Sequence, residues 1–242
     1  MKGIISFSLF GSESKFFHGV LTNLELCGTH YPECDIIVFA DRELAEKLQK
    51  YQKKYSFKLR QMPDSKRLEG MFWRFYALKE PDYDFYIFRD ADSRITKRES
   101  DMVTEWIESG MNLHVIRDHP MHNAPILGGM WGIRIDRAKV FQSALRGYIP
   151  KGYYGEDQEF IWKYVYRQNR GDMLVHDPYF MRESRSQKSQ KFGVSLEYIG
   201  ESIDQFDQGS NELRGLISKW KESSLFRTKI KVTSLLMKIG SR

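Results

Sequence analysis

The segment Asp84-Phe85-Tyr86-Ile87-Phe88-Arg89-Asp90-Ala91-Asp92-Ser93 constrains this chain more than any other. An aromatic and apolar run of strand composition passes without a break into two aspartates one residue apart. Residues i and i+2 of an extended chain point to the same side, so the carboxylates of Asp90 and Asp92 can converge on one hard cation at the strand's carboxyl end. Two aspartates at a strand end also suit an ordinary solvated turn. The rest of the chain has to decide between these readings.

The 242 residues fit one α/β domain, and no Pro- or Ser-rich linker divides them. Apolar runs at 3–10, 35–40, 57–61, 84–89, 112–117, 126–135 and 172–176 read as strands. Segments 15–28, 42–55, 68–79, 99–109, 136–145 and 156–167 read as helices. Their alternation predicts a mixed, mostly parallel sheet flanked by helices. The opening run at 1–11 is too short and too polar for a membrane-spanning helix, has no small-residue cleavage site after it, and is expected to be a buried first strand. Cys27 and Cys34 have no metal-ligand spacing and are too few for a disulfide framework, so a reducing cytoplasm is the expected setting.

Positive charge is concentrated at one end. Residues 211–242 hold eight Lys/Arg against Glu212 and Glu222, which accounts for the whole formal charge of +6. Apolar Leu213, Leu216, Ile217, Trp220, Phe226, Ile230, Leu236 and Met237 recur there at roughly helical spacing. Such a tail suits an anionic membrane surface, with the chain peripheral on it, and equally suits a helix packed on its own domain with a solvated basic face. No helix-turn-helix, zinc-finger or RNA-binding sheet motif accompanies it, so no nucleic-acid partner is expected.

Ligands of open parallel sheets sit beyond the carboxyl ends of the strands, where several polar clusters fall. Phe10-Gly11-Ser12-Glu13 turns a strand into a helix whose amino end can face a phosphate or a base, yet it is neither a dinucleotide fingerprint nor a Walker loop. In Glu69-Gly70-Met71-Phe72-Trp73-Arg74-Phe75 the Arg74 guanidinium can grip phosphate or sugar oxygens, or form an ion pair beside buried aromatics. Arg89 and Arg94 flank the aspartates and are candidate partners for them. Gly128 and Gly129 allow close backbone approach to a ligand, and Trp131 offers a flat face for a sugar ring. The pair His119 and His122 lacks a third ligand for zinc. Glu156-Asp157-Gln158 is an acidic helix start that the helix dipole alone would favour. His176 closes the last strand as either a structural residue or a ligand, and Arg182, Arg185, Lys188 and Lys191 read as a lid or a solvated loop.

Taken in order, these segments resemble the GT-A glycosyltransferases over about residues 1 to 180. They are similar to the glycogenin and lipopolysaccharide galactosyltransferase group and to small rhamnosyltransferase-like domains of bacterial and viral glycan pathways. The resemblance implies a single GT-A (Rossmann-like) domain over 1–210 with a basic helical tail over 211–242. It implies Mn²⁺ or Mg²⁺ held by Asp90, Asp92 and His176 against the diphosphate of a nucleoside diphosphate sugar, UDP-linked, with Arg74 near that diphosphate. Gly128, Gly129 and Trp131 would lie under the donor sugar and Asp118 would bind its hydroxyls. Inverting members carry Glu-Asp at the acidic helix start with the Asp as general base, whereas retaining members of the glycogenin type carry Asp-Gln near the anomeric carbon. Asp157 and Gln158 satisfy both patterns. The implied reaction moves a monosaccharide to a hydroxyl of a glycan or glycolipid acceptor in cell-surface or structural polysaccharide synthesis. Two rivals stand beside it: a sugar-nucleotide pyrophosphorylase, for which a Gly-rich basic loop after the first strand is missing, and a non-catalytic glycan- or membrane-binding module built on Trp131 and the tail.

Overall fold

Ile, Val, Phe and Tyr crowd the short runs that lie between amphipathic segments, and these runs form the strands of one sheet. The computed structural model describes residues 1–64, 68–181, 183, 186–187 and 196–239. The expected lid residues Arg182, Arg185, Lys188 and Lys191 fall outside them. In chain order the elements are β1 (Gly3–Leu9), α1 (Ser14–His30), β2 (Cys34–Ala40), α2 (Arg42–Gln49), β3 (Lys58–Gln61), a 3-10 helix (Leu68–Lys79), β4 (Phe85–Arg89) and α3 (Lys97–Ser109). Then follow β5 (Leu113–Ile116), β6 (Met130–Arg134), α4 (Lys139–Gly147), α5 (Glu156–Ile161), β7 (Met173–His176), the two-residue β8 (Ser186–Gln187), α6 (Asn211–Glu222) and α7 (Ser224–Ile239).

The sheet order is β3-β2-β1-β4-β6-β5-β7-β8. Only β6 runs against its neighbours, pairing antiparallel with β4 and β5, while the other pairings are parallel. That reversal positions the site. Arg89 of β4 pairs with Met130 of β6, and the same register carried one step further sets Gly129 opposite Asp90.

Alternation along β1 divides the core into two layers, because successive side chains leave opposite faces of a strand. Ile5, Phe7 and Leu9 pack with Val20, Leu24, Leu44, Leu48, Val103 and Trp106 from α1, α2 and α3. On the opposite face Phe72, Phe75, Phe88, Trp131, Phe141 and Phe160 form an aromatic layer beneath the 3-10 helix, α4 and α5. Trp131 has no exposed surface, and its ring centre lies 4.3 Å from that of Phe88, 5.7 Å from Phe75 and 5.6 Å from Phe141. The expectation that Trp131 lies under a sugar is therefore overturned: its face is already filled by core aromatics.

Several boundaries differ from the sequence reading for local reasons. The strand expected over 126–135 begins only at Met130, because the Met130 amide closes a turn on Leu127 C=O (3.2 Å) and Trp131 Nε1 donates to Gly128 C=O (3.0 Å). The helix expected over 68–79 is 3-10 throughout, an unusual length for that form. The helix expected over 156–167 is α-helical to Ile161, then has a π-turn at Trp162–Tyr166 and a 3-10 turn at Arg167–Asn169.

The basic tail has two helices with different surroundings. In α6, Ile217 and Trp220 are buried, Trp220 meets the rings of Tyr179 and Phe180, and the Leu213 carbonyl lies 2.9 Å from His119 Nε2. This half belongs to the packed body. In α7, Leu225 and Val232 are 83% and 50% exposed. No helix among the described residues is long and apolar enough to cross a membrane.

Trp131→Ala is expected to lower the unfolding free energy by about 3–5 kcal/mol, the usual cost of emptying a large aromatic site in a core. Denaturant titration reads this directly, and an unchanged midpoint would place Trp131 outside the core.

Candidate active site

The centre of the site is Arg74, and β1 fixes it. Ser6 and Ser8 project from the same face of that strand; Ser6 Oγ donates to the Arg74 carbonyl (2.7 Å) and Ser8 Oγ accepts from the Arg74 amide (2.8 Å). Two strand hydroxyls thus hold the backbone of one residue of the 3-10 helix. The side chain, 4% exposed, carries its guanidinium between two carboxylates: Nη1 donates to Asp90 Oδ1, and Nη2 to Asp157 Oδ2 at 2.8 Å. Arg74 is committed to protein acids on two of its nitrogens, so of the two roles its sequence position allows, phosphate grip and ion pair beside buried aromatics, the structure shows the ion pair, which orients Asp90 and Asp157.

Gly128 and Gly129 complete this arrangement. A methyl group at Gly128 would overlap Asp157 Oδ2, and one at Gly129 would overlap the Asp90 carboxyl and amide. The paired glycines allow close approach as expected, and what they approach is the Asp90–Arg74–Asp157 cluster.

A cavity of about 650 Å³ opens on this cluster at the carboxyl ends of β1 and β4. Asp90, Asp92, Arg74, Gly128, Asp157 and Gln158 all line it. The Asp90 side chain is 42% exposed, and Asp92 is 17% exposed with Lys15 Nζ 3.3 Å from its Oδ2. Asp157 is 1% exposed; burial pushes its carboxyl above the ordinary value while Arg74 pulls it down, and its Oδ1 is buried with no hydrogen-bond partner. A second cavity of about 890 Å³ at the end of β2 shares Gly11, Ser12 and Glu13 with the first. Its wall includes Asp41, whose Oδ2 accepts from the Gly11 amide at 3.3 Å.

Three lining residues, Lys15, Gly200 and Tyr154, and one neighbour of the cavity, Ser202, stand out only in the structure. Lys15, in the first turn of α1, is the half-buried cation of the cavity. Ser202 Oγ donates to Asp92 Oδ2 (2.7 Å), Ile203 N–H donates to the Asp92 carbonyl (2.8 Å), and Gly200 of the same segment lines the cavity. Tyr154 stands at the rim, 82% exposed. Only Lys15, one turn after the Gly-Ser-Glu sequence, could have been found from spacing.

Other expected site residues lie elsewhere or have other partners. Asp118 is fully buried, ion-paired with Arg98, and accepts the Ile199 amide at 2.8 Å; it fixes the 196–203 segment in place of binding sugar hydroxyls. His176 is 1% exposed, with Nδ1 2.9 Å from His114 Nε2 and Nε2 2.8 Å from Glu105 Oε2. Since β7 is three strands from β4 in the sheet order, His176 stands roughly 14 Å from the aspartates and cannot share an ion with them. Arg89 pairs with Glu99 (2.6 Å) and Arg94 with Asp207 (2.9 Å), so neither salt-bridges the two aspartates.

No cluster of three or more His, Cys, Asp or Glu side chains that could hold a metal occurs among the described residues. Asp90 and Asp92 are two hard oxygen donors on one open cavity. That set fits a divalent ion completing its shell with phosphate oxygens and water, the habit of Mg²⁺ at phosphate sites.

No protein-family model matches the chain, and no curated protein matches it. Solved structures do. The S. aureus TarS fragment 1–349 in complex with UDP-GlcNAc is 19% identical over 72% of this chain and 56% of that one, with a TM-score of 0.54. The same fragment with UDP scores 0.53 at 19% identity, over 72% and 57% of the two chains. The mannosyltransferase PcManGT from Pyrobaculum calidifontis, in complex with GDP-Man and Mn²⁺, is 8% identical over all of this chain and 75% of that one, with a TM-score of 0.50. The chain spans a little over half of the TarS fragments it matches. The fold is GT-A: a mostly parallel Rossmann-like sheet flanked by helices.

The structural role of Asp118 has a pH signature. Burial pushes its carboxyl up to about 6, against the pull of Arg98. From about pH 4, where an unfolded aspartate ionises, up to about 6 the unfolded chain loses this proton more readily than the native one, so the contribution of Asp118 to stability falls as pH rises. Relative to Asp118→Asn, the native protein should lose about 2–3 kcal/mol across that window. A difference that is flat or rises with pH contradicts this.

Proposed function

We propose that this protein transfers a monosaccharide from a nucleoside diphosphate sugar, UDP-linked, to a hydroxyl of a glycan or glycolipid, with a divalent cation at Asp90 and Asp92. One observation carries the reading: Asp90, Asp92, Lys15 and Asp157 line a single cavity beyond the strand ends of a GT-A sheet. The nucleotide sugars in the TarS and PcManGT structures support a donor of this class.

In this reading the nucleoside lies along Gly11, Ser12 and Asp41 in the larger cavity, and the diphosphate crosses the shared wall towards Lys15. The Lys15 ammonium neutralises charge as the nucleoside diphosphate departs. A Mn²⁺ or Mg²⁺ bound by Asp90 and Asp92 would supply further stabilisation of that leaving group. Arg74 keeps Asp157 in place, and the Asp157 carboxylate, which lines the cavity, accepts the proton of the acceptor hydroxyl. A carboxyl raised by burial is better suited to that task than an ordinary one. Attack then comes from the face opposite the diphosphate and the anomeric centre inverts, while the Gln158 amide steadies the donor sugar.

Calorimetric titration of UDP is expected to show tighter binding with Mn²⁺ than without. Asp92→Asn should weaken that metal-dependent binding at least about tenfold, the lower bound for disturbing a metal's outer shell. NMR of the product should show an inverted anomer. Metal-independent UDP binding would remove the cation from the account, and a retained anomer would move Asp157 from base to donor-sugar ligand.

The tail extends this reading to a membrane. Residues 224–242 include Arg227, Lys229, Lys231, Lys238 and Arg242 with no acidic residue, and α7 leaves Leu225 and Val232 exposed. Apolar side chains between lysines fit an anionic bilayer, where each nearby Lys or Arg adds about 1 kcal/mol. Helix α6, which precedes α7, is fixed to the body through the Leu213 carbonyl and His119. Lys229→Glu with Lys231→Glu should lower sedimentation with phosphatidylglycerol vesicles about tenfold or more while sparing UDP binding. Equal sedimentation of both proteins, or equal binding to phosphatidylcholine, contradicts the membrane role.

A further inference from the structure

The loop between α4 and α5 is pinned by the helix that carries Asp157. Glu156, 2% exposed, accepts the Lys151 amide at 2.8 Å and the Gly152 amide at 2.8 Å, and the Tyr148 hydroxyl at 2.6 Å. Tyr153 Oη donates to Glu159 Oε2 at 2.6 Å. Gly152 and Gly155 adopt φ of +78° and +83°, left-handed values that favour glycine, and so bracket the two tyrosines in a fixed turn. Tyr154 is left 82% exposed on this tethered loop, and it lines the cavity together with Asp157 and Gln158.

A large ring held out in water on a preorganised loop is a contact surface awaiting a ligand, since tyrosine offers a broad amphipathic face at small entropic cost. The charged residues Lys15, Asp90 and Asp92 identify where a diphosphate goes. Tyr154, at the rim, and Asp157 line the same cavity, so the group meeting Tyr154 is the one that presents its hydroxyl to Asp157. An acceptor presenting a hydroxyl to Asp157 has its ring at that rim, and the C–H face of a pyranose matches an aromatic face.

We propose that Tyr154 is the stacking platform of an acceptor subsite that takes the terminal pyranose of a saccharide chain. This rests on the glycosyltransferase reading above and adds the substrate class and the residue that selects it. The loop pinned by Glu156 sets the platform before the acceptor arrives. The phenyl face matters more than the hydroxyl, so phenylalanine or tryptophan substitutes for Tyr154 and alanine does not.

The test is saturation-transfer NMR with methyl glycosides of glucose, galactose, mannose, rhamnose and N-acetylglucosamine, run with UDP and Mn²⁺ present. The native protein should transfer saturation to the C–H protons of at least one glycoside. Tyr154→Ala should weaken that affinity roughly tenfold, Tyr154→Phe and Tyr154→Trp should keep it, and all four proteins should bind UDP equally. If UDP binds but the native protein saturates no glycoside, or Tyr154→Ala binds the same glycoside as well as the native protein does, the subsite is overturned. If UDP does not bind, the donor reading fails instead, and loss of glycoside contact in Tyr154→Ala alone would still support the platform.

Discussion

One buried guanidinium holds this site together. Arg74 joins an acid from the end of β4 to an acid from the start of α5, elements that also meet through the aromatic layer between them. Buried charges are costly unless paired, and removing one member of such a group commonly costs 3–5 kcal/mol because its partner is left uncompensated. The cluster therefore needs every support around it: Ser6 and Ser8 on the Arg74 backbone, and two glycines whose lack of side chains lets the β6 approach close against the carboxylates. The single antiparallel strand has a physical purpose in this setting, since it delivers that glycine pair to the carboxyl end of β4.

The same pairing explains how three aspartates can be concentrated around one cavity. Asp90 and Asp157 are compensated by Arg74 and Asp92 by Lys15, so the acids do not stand as bare anions around the cavity. Lys15 differs from Arg74 in being partly exposed, 28% against 4% for the side chain. Burial also separates the three aspartates by environment: Asp157 lies in the protein with one oxygen unpaired, while Asp90 keeps exposed surface.

Much of this was legible along the chain. Alternating apolar runs and amphipathic segments predicted the layered sheet, and the strand-to-Asp-X-Asp transition, the glycine pair and the acidic helix start all converge on one cavity. What could not be read was partner choice. Trp131 and His176 sit in strands whose period of two says that a side chain leaves one face, without saying what covers that face; aromatics cover Trp131, and His114 with Glu105 covers His176. Asp118 follows a strand end like Asp90 does, yet an arginine from α3 and an amide 81 residues later claim it. The serine contacts that hold the Arg74 backbone of the Leu68–Lys79 helix are likewise long-range and encoded by no local propensity.

Anomalous diffraction from crystals soaked with Mn²⁺ and UDP tests the central claim most directly. The account predicts one manganese peak at the Asp90 and Asp92 carboxylates, touching the diphosphate, with Arg74 still bridging Asp90 and Asp157. A nucleotide bound with no metal at those oxygens, or a manganese peak elsewhere on the protein, would contradict it.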